Sequence, residues 1–159
     1  MFEKLLNRKK REEERVEKVS LKSISYDPEI IVLWAKAIEG NVKLQNWLLE
    51  NGYPELYFGV FAIYLKDEAR DWLLKNGYAH LLAMINACEG NTNAEKWLLS
   101  NNFQLLYHVA KAVDHEDASW IWLRTNASID IFELAKSIQS IKDQIEENHN
   151  DIHSINKDL

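Results

Sequence analysis

The chain has 159 residues, of which 47% are apolar and 11% aromatic, and its formal net charge is −6. This composition is sufficient for one well-buried domain and differs from that of a disordered chain. The charge is uneven, because residues 1–22 carry +3, residues 23–138 carry −6 and residues 139–159 carry −3. An acidic body lacks the basic stripe that binds a phosphate backbone, so we expect no nucleic-acid partner.

Cysteine usage and hydropathy indicate the compartment. Cys88 is the single cysteine and cannot form an intramolecular disulfide, so a reducing compartment is the simplest expectation. No apolar run approaches the roughly 18 residues of a membrane span, and the N-terminal residues lack the pattern of a secretory signal. We therefore expect a cytoplasmic protein, either free or associated with a membrane surface.

Residues 1–22 form the first predicted region, a charged N-terminal helix or arm. Apolar side chains share one side near its start, and a basic run follows them. These residues are Phe2, Leu5, Leu6, Arg8, Lys9, Lys10 and Arg11. Two interpretations are open: the arm contacts an anionic membrane surface or a partner, or it is a helix that covers one end of the following domain.

Residues 23–138 form the second predicted region and contain a repeat with a period of 25 residues. The segment from Trp72 to Tyr78, Trp-Leu-Leu-Lys-Asn-Gly-Tyr, has near copies 25 residues before and 25 residues after it. A degraded fourth copy begins at Trp122. A fixed period without insertions is typical of stacked supersecondary units that bury their apolar faces against one another.

Each repeat unit is predicted to contain two helices. In the second unit the first helix covers residues 54–63 and the second covers residues 67–75, with Gly77 as the left-handed residue after its end. Apolar residues of the first helix recur at spacings of three and four, which predicts a buried stripe. The tryptophans at the equivalent position of each second helix, which we call the Trp column, are predicted to join this core. Gly59 stands where other units have larger residues, which predicts a close approach of helices.

The repeat predicts an all-α fold, a short α-solenoid of about four helix-turn-helix units. No alternation of period two appears, so we expect no strand in the unit. Armadillo, HEAT and tetratricopeptide arrays have the same general organisation with longer units. Such arrays bind proteins or peptides on their extended surfaces.

Residues 139–159 form the third predicted region, a C-terminal helix with a coiled-coil-like pattern. Isoleucines are spaced alternately by three and four, and one asparagine interrupts them. The predicted oligomerisation seam consists of Ile138, Ile141, Ile145, Asn148, Ile152 and Ile155. The helix either pairs with a second copy of the chain or a partner, or runs along its own repeats as a cap.

The sequence offers no catalytic constellation. It has no glycine-rich phosphate loop, no nucleophile elbow and no zinc-type spacing of Cys and His. His149 and His153 are four residues apart, but two histidines on a polar tail are weak evidence for a metal site against a solvated face. We therefore predict a protein that is not an enzyme and has no cofactor or metal.

Residues at equivalent positions of the repeat units form columns, and four residues differ in character from the rest of their column. Phe61, Tyr64, Trp120 and Ile121 are large and apolar where the equivalent residues of other units are mostly polar or charged. Such residues on a polar face mark contact surfaces, unless the terminal helices fold over them. The sequence thus predicts a non-catalytic protein-interaction module or adaptor. The alternatives are a peripheral membrane adaptor that uses the N-terminal helix and, less favoured, a solenoid enzyme acting on nucleic acid.

Overall fold

A computed structural model describes residues 1–8 and 20–157 of the chain, with side chains up to residue 150. All regular structure in these residues is helical, as the sequence predicts. Helix α1 covers residues 2–8, and residues 20–27 have no regular secondary structure. The other helices are α2 (Pro28–Ile38), α3 (Val42–Glu50), α4 (Pro54–Ile63), α5 (Asp67–Lys75), α6 (Ala79–Cys88), α7 (Thr92–Ser100), α8 (Gln104–Val113), α9 (Asp117–Asn126) and α10 (Ile129–Lys157).

The helices from α2 onward pack in two sets. Helices α2, α4, α6, α8 and α10 each contact the next member of this set, and α10 also contacts α2. Their contacts therefore form a closed circuit of five helices. Each of α3, α5, α7 and α9 contacts the even-numbered helix before it and the one after it. This arrangement is compatible with a helical repeat, and the contact between α10 and α2 joins the two ends of the series.

The even-numbered helices supply most of the core. Most residues of their predicted apolar stripes are buried, and Ala37, Ala62, Ala87 and Ala112 have no exposed surface. Alanine in this column lets neighbouring helices approach closely. Each of α3, α5, α7 and α9 adds one fully buried leucine, and these are Leu48, Leu73, Leu98 and Leu123.

The tryptophans preceding these leucines lie at the edge of the core, so the prediction that they join it holds only in part. Trp47 is 37% exposed, and the other three are half-buried. The reason is aromatic stacking on the flank of the array. Trp47 stacks on Tyr53 with ring centroids 6.1 Å apart, and Trp72 stacks on Tyr78 at 6.0 Å. The leucine points inward while the indole covers the start of the next even-numbered helix.

An Asn-Gly pair that follows the tryptophan ends helices α3 and α5. Asn76 donates a side-chain hydrogen bond to the carbonyl of Trp72 at 2.8 Å, and Gly77 has a φ of +92°. The N–H of Tyr78 then donates to the carbonyl of Leu73 at 2.9 Å. This is the predicted left-handed helix terminus, in which the side chain and the next backbone N–H satisfy the last carbonyls.

One residue of each even-numbered helix faces the inside of the circuit. Trp34, Met84, Val109 and Leu134, which are equivalent by the repeat, line one common cavity. The fifth equivalent is Gly59, and a Cβ placed there would lie 3.0 Å from Cζ2 of Trp34. The close approach predicted at Gly59 is thus made by the indole of Trp34, whose Nε1 donates to the carbonyl of Leu56 at 2.9 Å.

Residues 20–27, which we call the N-terminal strap, cross the N-terminal ends of α4 and α6. The N–H of Lys22 donates to the carbonyl of Gly77 at 2.9 Å, and His80 Nε2 lies 2.7 Å from the carbonyl of Lys22. Tyr26 donates to Glu55 Oε1 at 2.7 Å. The helix predicted for residues 2–22 is therefore found in residues 2–8 but not in residues 20–22. The predicted domain boundary at 22/23 falls within this strap.

Helix α10 is longer than the other helices and reaches the C-terminal ends of all four other even-numbered helices. Ser137 donates to Glu39 Oε1 at 2.6 Å, and Gln139 Nε2 donates to the carbonyl of Ala112 at 3.1 Å. Lys142 Nζ donates to the carbonyl of Ile63 and to Glu89 Oε1, each at 2.6 Å. The predicted boundary at 138/139 thus falls inside one continuous helix.

Candidate partner-binding surface

Phe61 lies in a groove on the surface formed by α4 and α5, which we call the aromatic groove. Its volume is about 690 Å³. Phe61 packs edge-on against Tyr57 with ring centroids 4.9 Å apart, and Tyr57 packs edge-on against Phe58 at 5.3 Å. The lining residues are Tyr57, Phe58, Phe61, Leu65, Lys66, Asp67, Glu68 and Ala69.

The rings of the aromatic groove are held in place from behind. Phe58 stacks on Trp72 with centroids 4.3 Å apart and an interplanar angle of 18°. Trp72 in turn stacks on Tyr78. A half-buried ring that is already fixed by stacking loses little conformational entropy when a partner covers it. The groove is therefore preorganised for apolar contact.

Charged residues occupy one side of the aromatic groove. Lys66 lies before α5, and Asp67 and Glu68 form its first turn. Acidic residues at this position also interact favourably with the positive end of the helix dipole. An apolar centre beside a charged rim is the usual arrangement of a protein-binding site.

Tyr64, the second residue predicted for this surface, contacts the fold itself. Its hydroxyl donates to the carbonyl of Ile38 at 2.7 Å, which links the C-terminal ends of α4 and α2. Burial raises the pKa of Tyr64, so the hydroxyl remains a donor at neutral pH. Tyr64 is half-buried and is not among the groove's lining residues.

Trp120 and Ile121 lie apart from the aromatic groove, on α9. Trp120 is half-buried and packs edge-on against Phe132 of α10 at 5.3 Å. Lys136 Nζ lies 5.1 Å from the centre of the Phe132 ring, a distance suited to a cation–π contact. Ile121 is 66% exposed. The four predicted partner-binding residues therefore belong to two separate surfaces.

The apolar side of the N-terminal arm is exposed in α1. Phe2, Leu5 and Leu6 are 83%, 59% and 64% exposed, and Arg8 belongs to the same helix. The remaining basic residues of the arm, Lys9, Lys10 and Arg11, lie outside the described residues. None of the described helices has the length and apolar character needed to cross a bilayer.

The predicted seam on α10 divides into two parts. Ile138 and Ile141 are buried against the chain's own helices, and Ile145 is partly buried there. Asn148 is exposed. The side chains of Ile152 and Ile155 lie outside the described ones. The first part of the seam therefore packs within the chain, and pairing with another helix is a prediction for the part from Asn148 onward.

Sequence reasoning missed Tyr57 and Phe58, which build the groove together with Phe61. Tyr57 does not break its column, because the equivalent residues include Tyr107 and Phe132. The signal available was the density of aromatic residues in the second unit, which has rings at 57, 58, 61 and 64. Comparing equivalent positions finds only residues that differ from their counterparts in other units. A surface cluster also contains residues that do not differ from them.

The described side chains contain no group of three or more His, Cys, Asp and Glu placed to bind a metal. Cys88 is buried, and burial raises the pKa of its thiol to about 12, which makes it a poor nucleophile at neutral pH. Comparison with protein-family models, curated proteins and solved structures found no match to this chain. The surfaces described above are therefore the features of the molecule that bear on its function.

Proposed function

We propose that the protein is a non-catalytic interaction module, or small adaptor, that binds a protein or peptide partner in the aromatic groove. The observation that carries this proposal is the preorganised cluster of Tyr57, Phe58 and Phe61 beside a charged rim. Aromatic residues dominate the binding energy of many protein interfaces. A partner's apolar side chain would bind between these rings, with polar contacts at Lys66 and Asp67.

The architecture supports the same proposal. In it, four helix-turn-helix units of 25 residues form a short α-solenoid, and the long helix α10 completes the set of even-numbered helices. Repeat arrays of this kind present a broad surface on a rigid support, because each unit packs on its neighbours. The cytoplasmic location expected from the single cysteine is part of this proposal.

The test is to select peptides from a random library on the full chain and to measure their affinity for two variants by calorimetry. We expect Phe61→Ala to weaken binding about tenfold or more, since loss of a central aromatic anchor costs roughly 2 kcal/mol. Ile121→Ala is the control, because Ile121 is exposed but lies outside the groove. The proposal fails if selected peptides bind both variants as tightly as the unchanged chain.

A peripheral membrane adaptor is the second candidate, favoured by the exposure of Phe2, Leu5 and Leu6 in α1. Residues 1–22 also carry a charge of +3, and each basic residue near an anionic surface contributes about 1 kcal/mol to binding. We expect the full chain to sediment with vesicles containing phosphatidylserine and the chain lacking residues 2–11 to stay in solution. Equal sedimentation of both forms would exclude the arm as the anchor.

A further inference from the structure

An apolar cavity of about 260 Å³ lies inside the circuit of even-numbered helices, at their N-terminal end. Residues of α2, α6, α8, α10 and the N-terminal strap surround it, and we call it the axial cavity. Met84, Val109 and Leu134 contribute to its wall and are themselves at most 3% exposed. The axial cavity is separate from the aromatic groove, with which it shares no lining residue.

The lining of the axial cavity offers water almost no hydrogen-bonding partners. All its lining residues except Asn102 and Gln104 are apolar or aromatic, and the hydroxyl of Tyr26 already donates to Glu55. A buried water needs two to four polar partners, and an apolar cavity of roughly 150 Å³ stays dry and binds benzene. The larger axial cavity is therefore suited to an apolar molecule.

The N-terminal strap explains why the cavity is present on one side of the circuit. Leu56 and Leu81 lie near the strap and are at most 2% exposed, although Leu81 also lines the cavity. Their repeat equivalents Leu106 and Ile131, on α8 and α10, are only partly buried and line the cavity. The strap covers the apolar residues at the starts of α4 and α6. A ligand bound in the cavity would cover the equivalent residues at the starts of α8 and α10.

We propose that the axial cavity binds the apolar part of a small amphiphile, such as a medium-chain alkyl compound. Its polar end lies at Asn102 and Gln104, two exposed residues whose side-chain amides make no hydrogen bond among those found in the described residues. Leu105, beside them, is 38% exposed and marks the entrance. Residues of four helices and the strap line the site, and its volume of about 260 Å³ suits a narrow alkyl chain rather than a helix.

The experiment uses the full chain and N-phenyl-1-naphthylamine, a neutral dye that fluoresces in apolar sites. We expect saturable binding at one site and displacement of the dye by decan-1-ol. Leu106→Trp fills the cavity and should weaken dye binding about tenfold or more. Leu99→Trp adds the same side chain on the exposed side of α7 and should leave the affinity unchanged.

A second measurement keeps the test decisive if Leu106→Trp fails to fold. In the unchanged chain, decan-1-ol should shift the methyl resonances of Ile31, Leu81 and Ile131 and leave that of Leu65, in the aromatic groove, in place. The proposal is overturned if the dye binds without saturation, if both Trp variants bind it equally, or if the shifts occur at Leu65 instead. It is also overturned if deletion of residues 2–8 increases dye affinity about tenfold, because the chain's own arm would then be the occupant.

Discussion

The two ends of the helix circuit are closed by different means. At the C-terminal end, α10 crosses the other even-numbered helices and forms hydrogen bonds with Glu39, Ile63, Glu89 and Ala112. At the N-terminal end, the strap covers only α4 and α6 and leaves the axial cavity. Side-chain hydrogen bonds close the C-terminal end, where the last carbonyl groups of the helices need donors. The N-terminal end has an apolar opening, which leaves space for a ligand.

The largest effect should come from removing the part of α10 that closes the C-terminal end. Truncation after Gln139 deletes the buried Ile141 and also Lys142, and we expect a loss of about 3–5 kcal/mol of unfolding free energy. Truncation after Glu147 is the control and should change stability little, because residues 148–150 are exposed. Urea unfolding measures both. Equal stability of the two truncated chains would show that residues 140–147 of α10 are not required for closure.

Light scattering on the same truncated chains tests the pairing prediction for α10. If the seam from Asn148 onward joins two copies, the chain ending at Glu147 will be monomeric while the full chain is a dimer. A monomeric full chain would remove the homo-oligomer from the proposal without affecting closure.

Lys142 should be the most important single polar residue at the C-terminal end. Its side chain is 11% exposed, and its ammonium group donates to the carbonyl of Ile63 and to Glu89. Lys142→Met therefore removes a donor from both and leaves Glu89 with Arg70 alone. We expect a loss of about 1–3 kcal/mol. Lys136→Met, where the lysine is 54% exposed and pairs with Glu133, should cost less than about 0.5 kcal/mol. Chemical unfolding that ranks the two variants in the opposite order would contradict this account.

Gly77 and Gly52 form a matched pair that isolates the strap at the N-terminal end. Both have positive φ, +92° and +89°, so alanine strains either one. A Cβ at Gly77 would also lie 2.8 Å from the carbonyl oxygen of Ser20, whereas a Cβ at Gly52 meets nothing within 4 Å. We expect Gly77→Ala to cost about 1 kcal/mol more than Gly52→Ala in thermal unfolding. Equal costs would mean that the strap is not packed there.

Acid should lower the unfolding free energy because it protonates Glu89 at the C-terminal end. Burial alone would raise the pKa of Glu89, but hydrogen bonds from Arg70 and Lys142 more than offset this and lower it below its usual value. The folded state therefore gains stability from ionised Glu89 above the unfolded pKa of about 4.3 and loses it as the pH falls through the lower folded pKa. Urea unfolding from pH 7 to 3 should show a steeper acid loss for the unchanged chain than for Glu89→Gln. Parallel curves would exclude this contribution.

The smallest effect concerns the turns at the C-terminal end, where two residues with left-handed backbone conformation, Leu65 and His115, are not glycine. Leu65 has a φ of +67°, while Gly40 and Gly90 occupy equivalent positions. Glycine relieves the steric cost of this conformation but loses more entropy on folding, so Leu65→Gly should gain only about 0.5 kcal/mol. A loss of more than about 1 kcal/mol in thermal unfolding would show that the exposed Leu65 side chain is packed after all.

The sequence was a good guide to features that recur every 25 residues. The helices at 54–63 and 67–75, the left-handed Gly77 and the close approach at Gly59 were all predicted, because each depends on local spacing and backbone conformation. The prediction that the tryptophans join the core holds only in part, since the same spacing is compatible with stacking on the flank of the array.

Features that occur once were not predictable in this way. The bond between Ser137 and Glu39 joins residues 98 positions apart, and no periodic pattern marks it. Besides the bond from Tyr26 to Glu55, the strap is attached through the backbone of Lys22, and a backbone contact leaves no side-chain pattern in the sequence. The aromatic groove was found at Phe61 alone, because its other rings are ordinary members of their columns.

Hydrogen–deuterium exchange of the full chain at two protein concentrations tests most directly whether α10 closes the circuit by packing on α2. We predict that residues 131–145 exchange as slowly as α2 at both concentrations, since their helix is buried against the rest of the chain. The backbone of the exposed helical turn of α10 around Asn148 should exchange faster. Rapid exchange throughout α10, or protection of residues 131–145 that appears only at the higher concentration, would contradict the closed circuit.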